Sequence, residues 1–152
     1  MPDLAALDAA SVHRQIRVIV HALCLGVAIF AGIAAYVGPL GTPPPAAAFG
    51  LDMIGLLAVV MTFSTAPLAF FLPGRILESA RGGDFTKRAG ALRTSRILGA
   101  ALLEGPALLW CVGLLLTGQV LYLVPVAVLV FLMTLQAPTR EGFERATGAS
   151  LR

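Results

Sequence analysis

Four long apolar runs divide the chain and restrict it to a membrane-spanning fold. They cover residues 16–37, 51–72, 97–116 and 120–135. A helix needs about 20 apolar residues to cross the hydrocarbon of a bilayer, and the first three runs have this length. The last run is shorter and reaches spanning length only if residues 117–119 form a tight turn. No run alternates apolar and polar residues as a barrel strand does. A segment exposed to lipid must form its backbone hydrogen bonds internally, so the runs predict helices.

The composition excludes an ordinary soluble domain. Hydrophobic residues make up 58% of the 152 residues and charged residues only 12%. In a soluble domain about a quarter of the residues are charged. We therefore predict an all-α integral membrane four-helix bundle, built as a single membrane domain over residues 1–152. The N-terminal residues lack the basic leader of a signal peptide, so the first run is expected to be a retained helix.

The connections between the runs differ in composition. Residues 38–45 are uncharged and contain four prolines, which predicts a rigid loop after the first run. Residues 74–96 carry eight charged side chains and the pair Gly82 and Gly83, which marks a turn. Asp84 follows this pair and is suited to be a helix N-cap. We expect one helix of about 50 Å from Asp84 through the third run.

The cations predict which side of the membrane each connection occupies. All 11 Lys and Arg residues lie near the start of the first run, in the loop 74–96 or in the tail 137–152. By the positive-inside rule, both termini and this loop are cytoplasmic, and a bacterial inner membrane is the expected location. The net charge of +3 then indicates contact with the lipid bilayer and does not require nucleic acid. Five cations of the loop are predicted to contact a partner or lipid headgroups: Arg81, Lys87, Arg88, Arg93 and Arg96.

Small residues four positions apart predict where the helices approach each other closely. Small side chains allow helix backbones to come together in lipid, where packing replaces the hydrophobic effect as the driving force. Three pairs fit this spacing: Ala28 with Gly32, Ala31 with Ala35, and Ala101 with Gly105. These pairs favour a compact bundle.

Glu104 is the only charged residue in the third run. A carboxylate in hydrocarbon costs several kcal/mol, so such an acid normally has a partner, a proton or a function. By helix rise, Glu104 lies about 10 Å below the cytoplasmic boundary, and His21 and Thr65 of two other runs lie at a similar depth. We predict that the three form an ion-binding site, in which the carboxyl either donates to Thr65 or pairs with His21. The alternative is a neutral Glu104 that only ties helices together.

No further pattern indicates a cofactor or a catalytic site. Cys24 and Cys111 have no second thiol near them in the sequence, and they are expected to pack as small hydrophobic residues. His13 and His21 fall on one predicted helix, whereas bis-histidine haem ligation usually uses facing helices. Walker A, HExxH, GxSxG and Rossmann patterns are absent from the sequence. We therefore expect no cofactor, no metal and no enzymatic activity.

The region around Glu104 resembles subunit c of the rotary ATP synthases. The similarity begins with GRILESAR at residues 74–81, continues with LRT at residues 92–94, and then has an acid eleven residues after Arg93. The sequence GPA and an aliphatic run follow the acid. In that family the carboxyl of the second helix binds and releases the transported proton or sodium ion, and the polar loop faces the rotor stalk. The resemblance, over about residues 74–116, implies a proton-binding role for Glu104.

Three functional hypotheses follow from these features. The first is a small polytopic inner-membrane protein whose protonatable carboxylate binds or translocates a proton or monovalent cation, as part of a homo-oligomer or complex. The second is a structural or assembly partner of a larger membrane complex, which docks through the basic loop and uses Glu104 only for helix packing. The third is a small multidrug-type exporter, although the acid of those proteins lies in the first span.

Overall fold

The computed structural model describes residues 4–38 and 53–149, and within these ranges it contains helices and no strand. The elements are α1 (Leu4–Val37), α2 (Met53–Ser79), α3 (Phe85–Thr117), a 3₁₀ turn (Val120–Tyr122), α4 (Leu123–Thr134) and α5 (Arg140–Thr147). The first three helices are long and apolar enough to cross a membrane, and α4 is a shorter apolar helix. The prediction of an all-α protein with transmembrane helices is confirmed. The predicted loop 38–45 lies outside the described residues, apart from Gly38.

The helix α3 is the central element of the bundle. It packs against α1, α2 and α4; its contact with α2 is the most extensive, and α1 also contacts α4. The buried residues of α1 form one stripe that faces the interior of the bundle. They are three or four positions apart, as expected for one face of a helix. The stripe consists of Ile16, Val20, Cys24, Val27, Ala31 and Ala34. The outer faces expose large apolar side chains such as Phe63 and Phe71, as helices in contact with lipid do.

The charged connection between α2 and α3 is mostly helical. Asp84 caps α3 as predicted, and its carboxylate accepts a hydrogen bond from the Lys87 backbone N–H at 3.0 Å. From there α3 continues without interruption for 33 residues, a length of about 50 Å. The helix α2 extends past Pro73 to Ser79, beyond the end of the second apolar run. The turn is therefore confined to residues 80–84, because Pro73 interrupts the backbone hydrogen bonding of α2 without ending the helix.

The predicted tight turn after α3 is confirmed. Gly118 has a φ of 68°, in the left-handed region that favours glycine, and its N–H donates to the Leu114 carbonyl at 2.8 Å. The 3₁₀ turn of three residues then leads into the 12 residues of α4. Together they measure about 24 Å along the helix axis, somewhat less than the roughly 30 Å of bilayer hydrocarbon.

The C-terminal tail contains a helix that the sequence analysis did not predict. The Thr139 hydroxyl caps α5 by accepting from the Gly142 N–H at 3.1 Å. Phe143 is fully buried, and its ring meets the His13 ring edge-on with centroids 5.2 Å apart. The His13 Nε2 group donates to the Pro138 carbonyl at 3.2 Å. The tail is thus held against α1 and α3 and is part of the folded bundle.

The predicted small-residue pairs are only partly used for packing. Four of their members are exposed: Ala28, Gly32, Ala101 and Gly105. A Cβ atom added at Gly32 or Gly105 would meet no atom within 4 Å. Ala31 is buried and Ala35 is half-buried. Of the three pairs, only the Ala31–Ala35 pair therefore belongs to a helix contact.

The helices α2 and α3 approach each other closely at Gly99. A Cβ atom there would lie 3.0 Å from the Ala69 carbonyl oxygen of α2 and 2.9 Å from Oε1 of Gln136, which follows α4. Gln136 is buried, and its amide donates to the same Ala69 carbonyl at 3.4 Å. Three segments of the chain therefore meet at one glycine, which leaves no space for a side chain.

We expect Gly99→Ala to lower the free energy of unfolding by about 1–3 kcal/mol, because the added methyl group collides with backbone and with a buried amide. Gly90→Ala is the matched control on the same helix, since a Cβ at Gly90 meets nothing within 4 Å. Its expected effect is neutral or stabilising by up to about 1 kcal/mol. Unfolding in mixed detergent micelles, followed by fluorescence of Trp110, measures both. Equal stability of the two variants would contradict the packing at Gly99.

Candidate functional site

Glu104 lies at the edge of the contact between α3 and α1. It is half-buried, about 20 Å from the C-terminal end of α3 by helix rise. Its carboxylate is close enough to the Cys24 thiol of α1 to act on it electrostatically. Ala101 and Gly105, its neighbours on the helix surface, are both exposed. One side of Glu104 therefore faces α1, and the other side faces the open surface of α3.

No hydrogen bond or ion pair reaches Glu104 from residues 4–38 or 53–149. The ion pairs present in these ranges join Arg81 to Glu78 and Arg140 to Glu144, at 4.0 and 3.8 Å. Both pairs lie in the charged segments outside the apolar runs. Glu104 thus has no hydrogen-bond or ion-pair partner in the part of the chain that the structure describes.

His21 lies on another side of α1 from the buried stripe. Its neighbour Val20 is fully buried, whereas His21 is exposed, and its Nδ1 group donates to the Arg17 carbonyl at 2.6 Å. It lines a shallow surface groove together with His13, Arg14, Arg17 and Val18. Successive residues of a helix are rotated by about 100°, so His21 points away from the face that buries Val20. No hydrogen bond or ion pair joins His21 to Glu104 among the described residues.

Thr65 also forms no hydrogen bond with Glu104 among the described residues. Its hydroxyl donates to the Met61 carbonyl of its own helix at 2.9 Å. The neighbouring Thr62 makes the tertiary contact instead: its Oγ1 accepts from the Trp110 indole N–H at 3.1 Å and donates to the Ala58 carbonyl at 2.7 Å. Thr62 lies four residues after Ala58, which is buried in the structure, and the sequence alone does not distinguish it from Thr65.

The two cysteines are free and buried in the helix contacts. Cys24 belongs to the inward stripe of α1, and Cys111 follows Trp110 on α3. Within the described residues, no three His, Cys, Asp or Glu side chains come close enough to hold a metal ion.

Three of the five predicted contact cations lie together at one end of the bundle. Arg81, Arg88 and Arg96 line a pocket of about 410 Å³, and Arg145 of α5 completes it. Arg93 lies on another face of α3, where it lines a separate groove. Lys87 packs its aliphatic chain over Gly83 in the turn. The five cations thus form two groups. Three line the pocket, whereas Lys87 and Arg93 lie outside it.

No family model, no curated protein and no solved structure matches this chain. The resemblance of residues 74–116 to subunit c of the rotary ATP synthases stays a prediction from the sequence.

We expect Thr62→Val to lower the free energy of unfolding by about 1 kcal/mol, because it leaves the buried Trp110 N–H without its acceptor. Thr65→Val should stay within about 0.5 kcal/mol of the wild type, since its hydroxyl only bonds to its own helix. Unfolding in mixed micelles measures both effects. A larger loss for Thr65→Val than for Thr62→Val would show that Thr65 makes the more important contact.

Proposed function

We propose that this chain is a small polytopic membrane protein in which Glu104 binds and releases a proton or another monovalent cation, within an oligomer or a larger membrane complex. The observation that carries the proposal is the position of Glu104. It is half-buried in the apolar part of α3 and has no hydrogen bond or ion pair in the described chain. A carboxylate in such a place is costly when ionised and uncovered, so a proton, a cation or a partner is required.

The proposed topology has four spans, with both termini and the α2–α3 turn on the cytoplasmic side of a bacterial inner membrane. The clustering of all 11 cations in three segments supports this orientation. The segment formed by the 3₁₀ turn and α4 is a few Å shorter than the hydrocarbon. Local thinning of the bilayer accommodates such a mismatch at a cost of a fraction of a kcal/mol per Å.

A groove on the outer face of α3 extends from the basic end to about one helical turn before Glu104. The groove has a volume of about 560 Å³ and is lined by Gly90, Arg93, Thr94, Ile97, Leu98 and Ala101. Arg93 lies at its polar end, and Ala101 lies one helical turn before Glu104. Because this face is open, a second copy or another subunit that packs on it would complete the surroundings of the carboxyl.

The resemblance to subunit c supports the same role for the same residue. The alternative, in which Glu104 only ties helices together, requires a polar partner on a neighbouring helix. Among the described residues the Cys24 thiol of α1 lies near Glu104, but no hydrogen bond or ion pair to the carboxylate is present. The geometry therefore favours ion binding over a purely structural role.

We expect wild-type protein in liposomes to conduct protons and Glu104→Gln to reduce this flux to the level of empty liposomes, because an amide cannot bind and release a proton. A pH-sensitive dye inside the vesicles, with a potassium diffusion potential as driving force, measures the flux. A hydrophobic carbodiimide, which reacts with protonated carboxyls in lipid, should label Glu104 in the wild type and fail to label the variant.

Glu78→Gln is the matched control, because Glu78 is an exposed glutamate near the end of α2. It should keep wild-type flux and carbodiimide labelling at Glu104. Unchanged proton flux in Glu104→Gln would refute the proposed role of this carboxyl.

A further inference from the structure

The pocket at the basic end of the bundle is formed by three separate elements. Leu77, near the end of α2, and Ala80 and Arg81 of the turn form one wall, and Arg88 and Arg96 of α3 form the second. Gly142, Arg145 and Ala146 of α5 close the third side. On α3, Arg88 and Arg96 are eight residues apart with buried Leu92 between them, so both project from one helix face. The folded-back α5 therefore turns a basic helix face into a cavity.

The described residues that line this pocket are positively charged, with four arginines and no carboxylate. Glu78 reaches one of them, Arg81, through an exposed pair at 4.0 Å, which offsets little of the charge. Asp84 accepts from the Lys87 N–H, and Glu144 pairs with Arg140 at 3.8 Å. Like charges that face one another across a cavity repel, and the repulsion grows where water is partly excluded. The arrangement is stable when an anion occupies the space between the guanidinium groups.

Two arginines in the pocket have donor groups suited to such an anion. The Nε atom of Arg96 is buried and has no hydrogen-bond partner among the described residues. A buried donor without an acceptor costs about 1–3 kcal/mol, and more when it is charged. Arg88 uses its Nε–H to donate to the Gly83 carbonyl at 2.8 Å, which fixes the guanidinium and leaves its terminal nitrogens for other acceptors. The terminal nitrogens of these guanidinium groups are the donors suited to a multi-oxygen anion in the pocket.

We propose that this pocket binds a phosphate-type oxyanion, such as the phosphate of an anionic lipid headgroup or a free phosphate group. Arginine forks bind phosphate through paired, charge-assisted hydrogen bonds. Arg96 directly precedes the apolar run 97–116, which places the pocket at the level where headgroup phosphates lie. The volume of about 410 Å³ exceeds that of one phosphate and leaves room for the adjoining part of a headgroup. The proposal is independent of the role of Glu104.

Binding is tested on the full-length protein in nanodiscs and in neutral detergent. Native mass spectrometry should find a retained phosphatidylglycerol from mixed nanodiscs in preference to phosphatidylcholine. In detergent, short-chain phosphatidylglycerol should raise the unfolding temperature saturably. Arg96→Gln and Arg145→Gln should each weaken this binding by about tenfold or more, because each removes charge-assisted hydrogen bonds.

A matched control distinguishes anion binding in the pocket from general attraction of anions to the positively charged surface. Arg93→Gln removes the same charge from the same helix as Arg96→Gln without touching the pocket, and it should bind like the wild type. Arg145 is exposed near the end of α5, so its variant stays informative even if Arg96→Gln fails to fold.

Inorganic phosphate distinguishes the two sources of the ligand. Saturable stabilisation by inorganic phosphate alone, lost in Arg145→Gln, would support the site with a free phosphate group as ligand. Stabilisation by the anionic lipid alone would support the headgroup as ligand. Absence of both effects, or equal losses in the pocket and control variants, would overturn the proposal.

Discussion

The bundle depends on how closely its other helices can approach α3. Lipid offers no hydrophobic driving force between helices, so their association depends on van der Waals contact and on a few hydrogen bonds. At Gly99 the α3 backbone meets the Ala69 carbonyl and the buried Gln136 amide with no space for a side chain. At Gly113 the ring of Tyr122 lies in the same close relation, 2.9 Å from a Cβ position. These contacts hold α2 and the segment around α4 against α3.

Features set by local chemistry could be predicted from the sequence. The apolar runs predict the helices, Asp84 predicts the start of α3, and Gly118 predicts its end, because caps and glycine turns depend on residues close in sequence. Contacts between helices were harder to predict. The exposed pair Ala101–Gly105 fits the small-residue spacing as well as the buried pair Ser95–Gly99 does. The choice depends on which face meets a neighbour, and one sequence does not contain that information.

The candidate site could also be predicted only in part. Run lengths place Glu104, His21 and Thr65 at similar depths, but depth leaves the rotation about each helix axis undetermined. The buried stripe of α1 turns His21 outward, and α2 presents Thr62 to Trp110 in place of Thr65. The helix α5 was predictable in principle, since Thr139 at one end and Gly148 at the other are ordinary cap residues. The packing of α5 against α3 could not be predicted, because the burial of Phe143 depends on tertiary contacts.

The attachment of α2 has a consequence for how the protein comes apart. Its main contact is with α3, through small residues and the hydrogen bond between Thr62 and Trp110. A helix that leaves its neighbour in a bilayer keeps its backbone hydrogen bonds, so separation does not require unwinding. The α2–α3 hairpin can thus open sideways into lipid while α1, α3 and α4 stay together. Lateral pressure and acyl-chain length, which act on the packing of helices in a membrane, are therefore expected to change how closely α2 packs on α3.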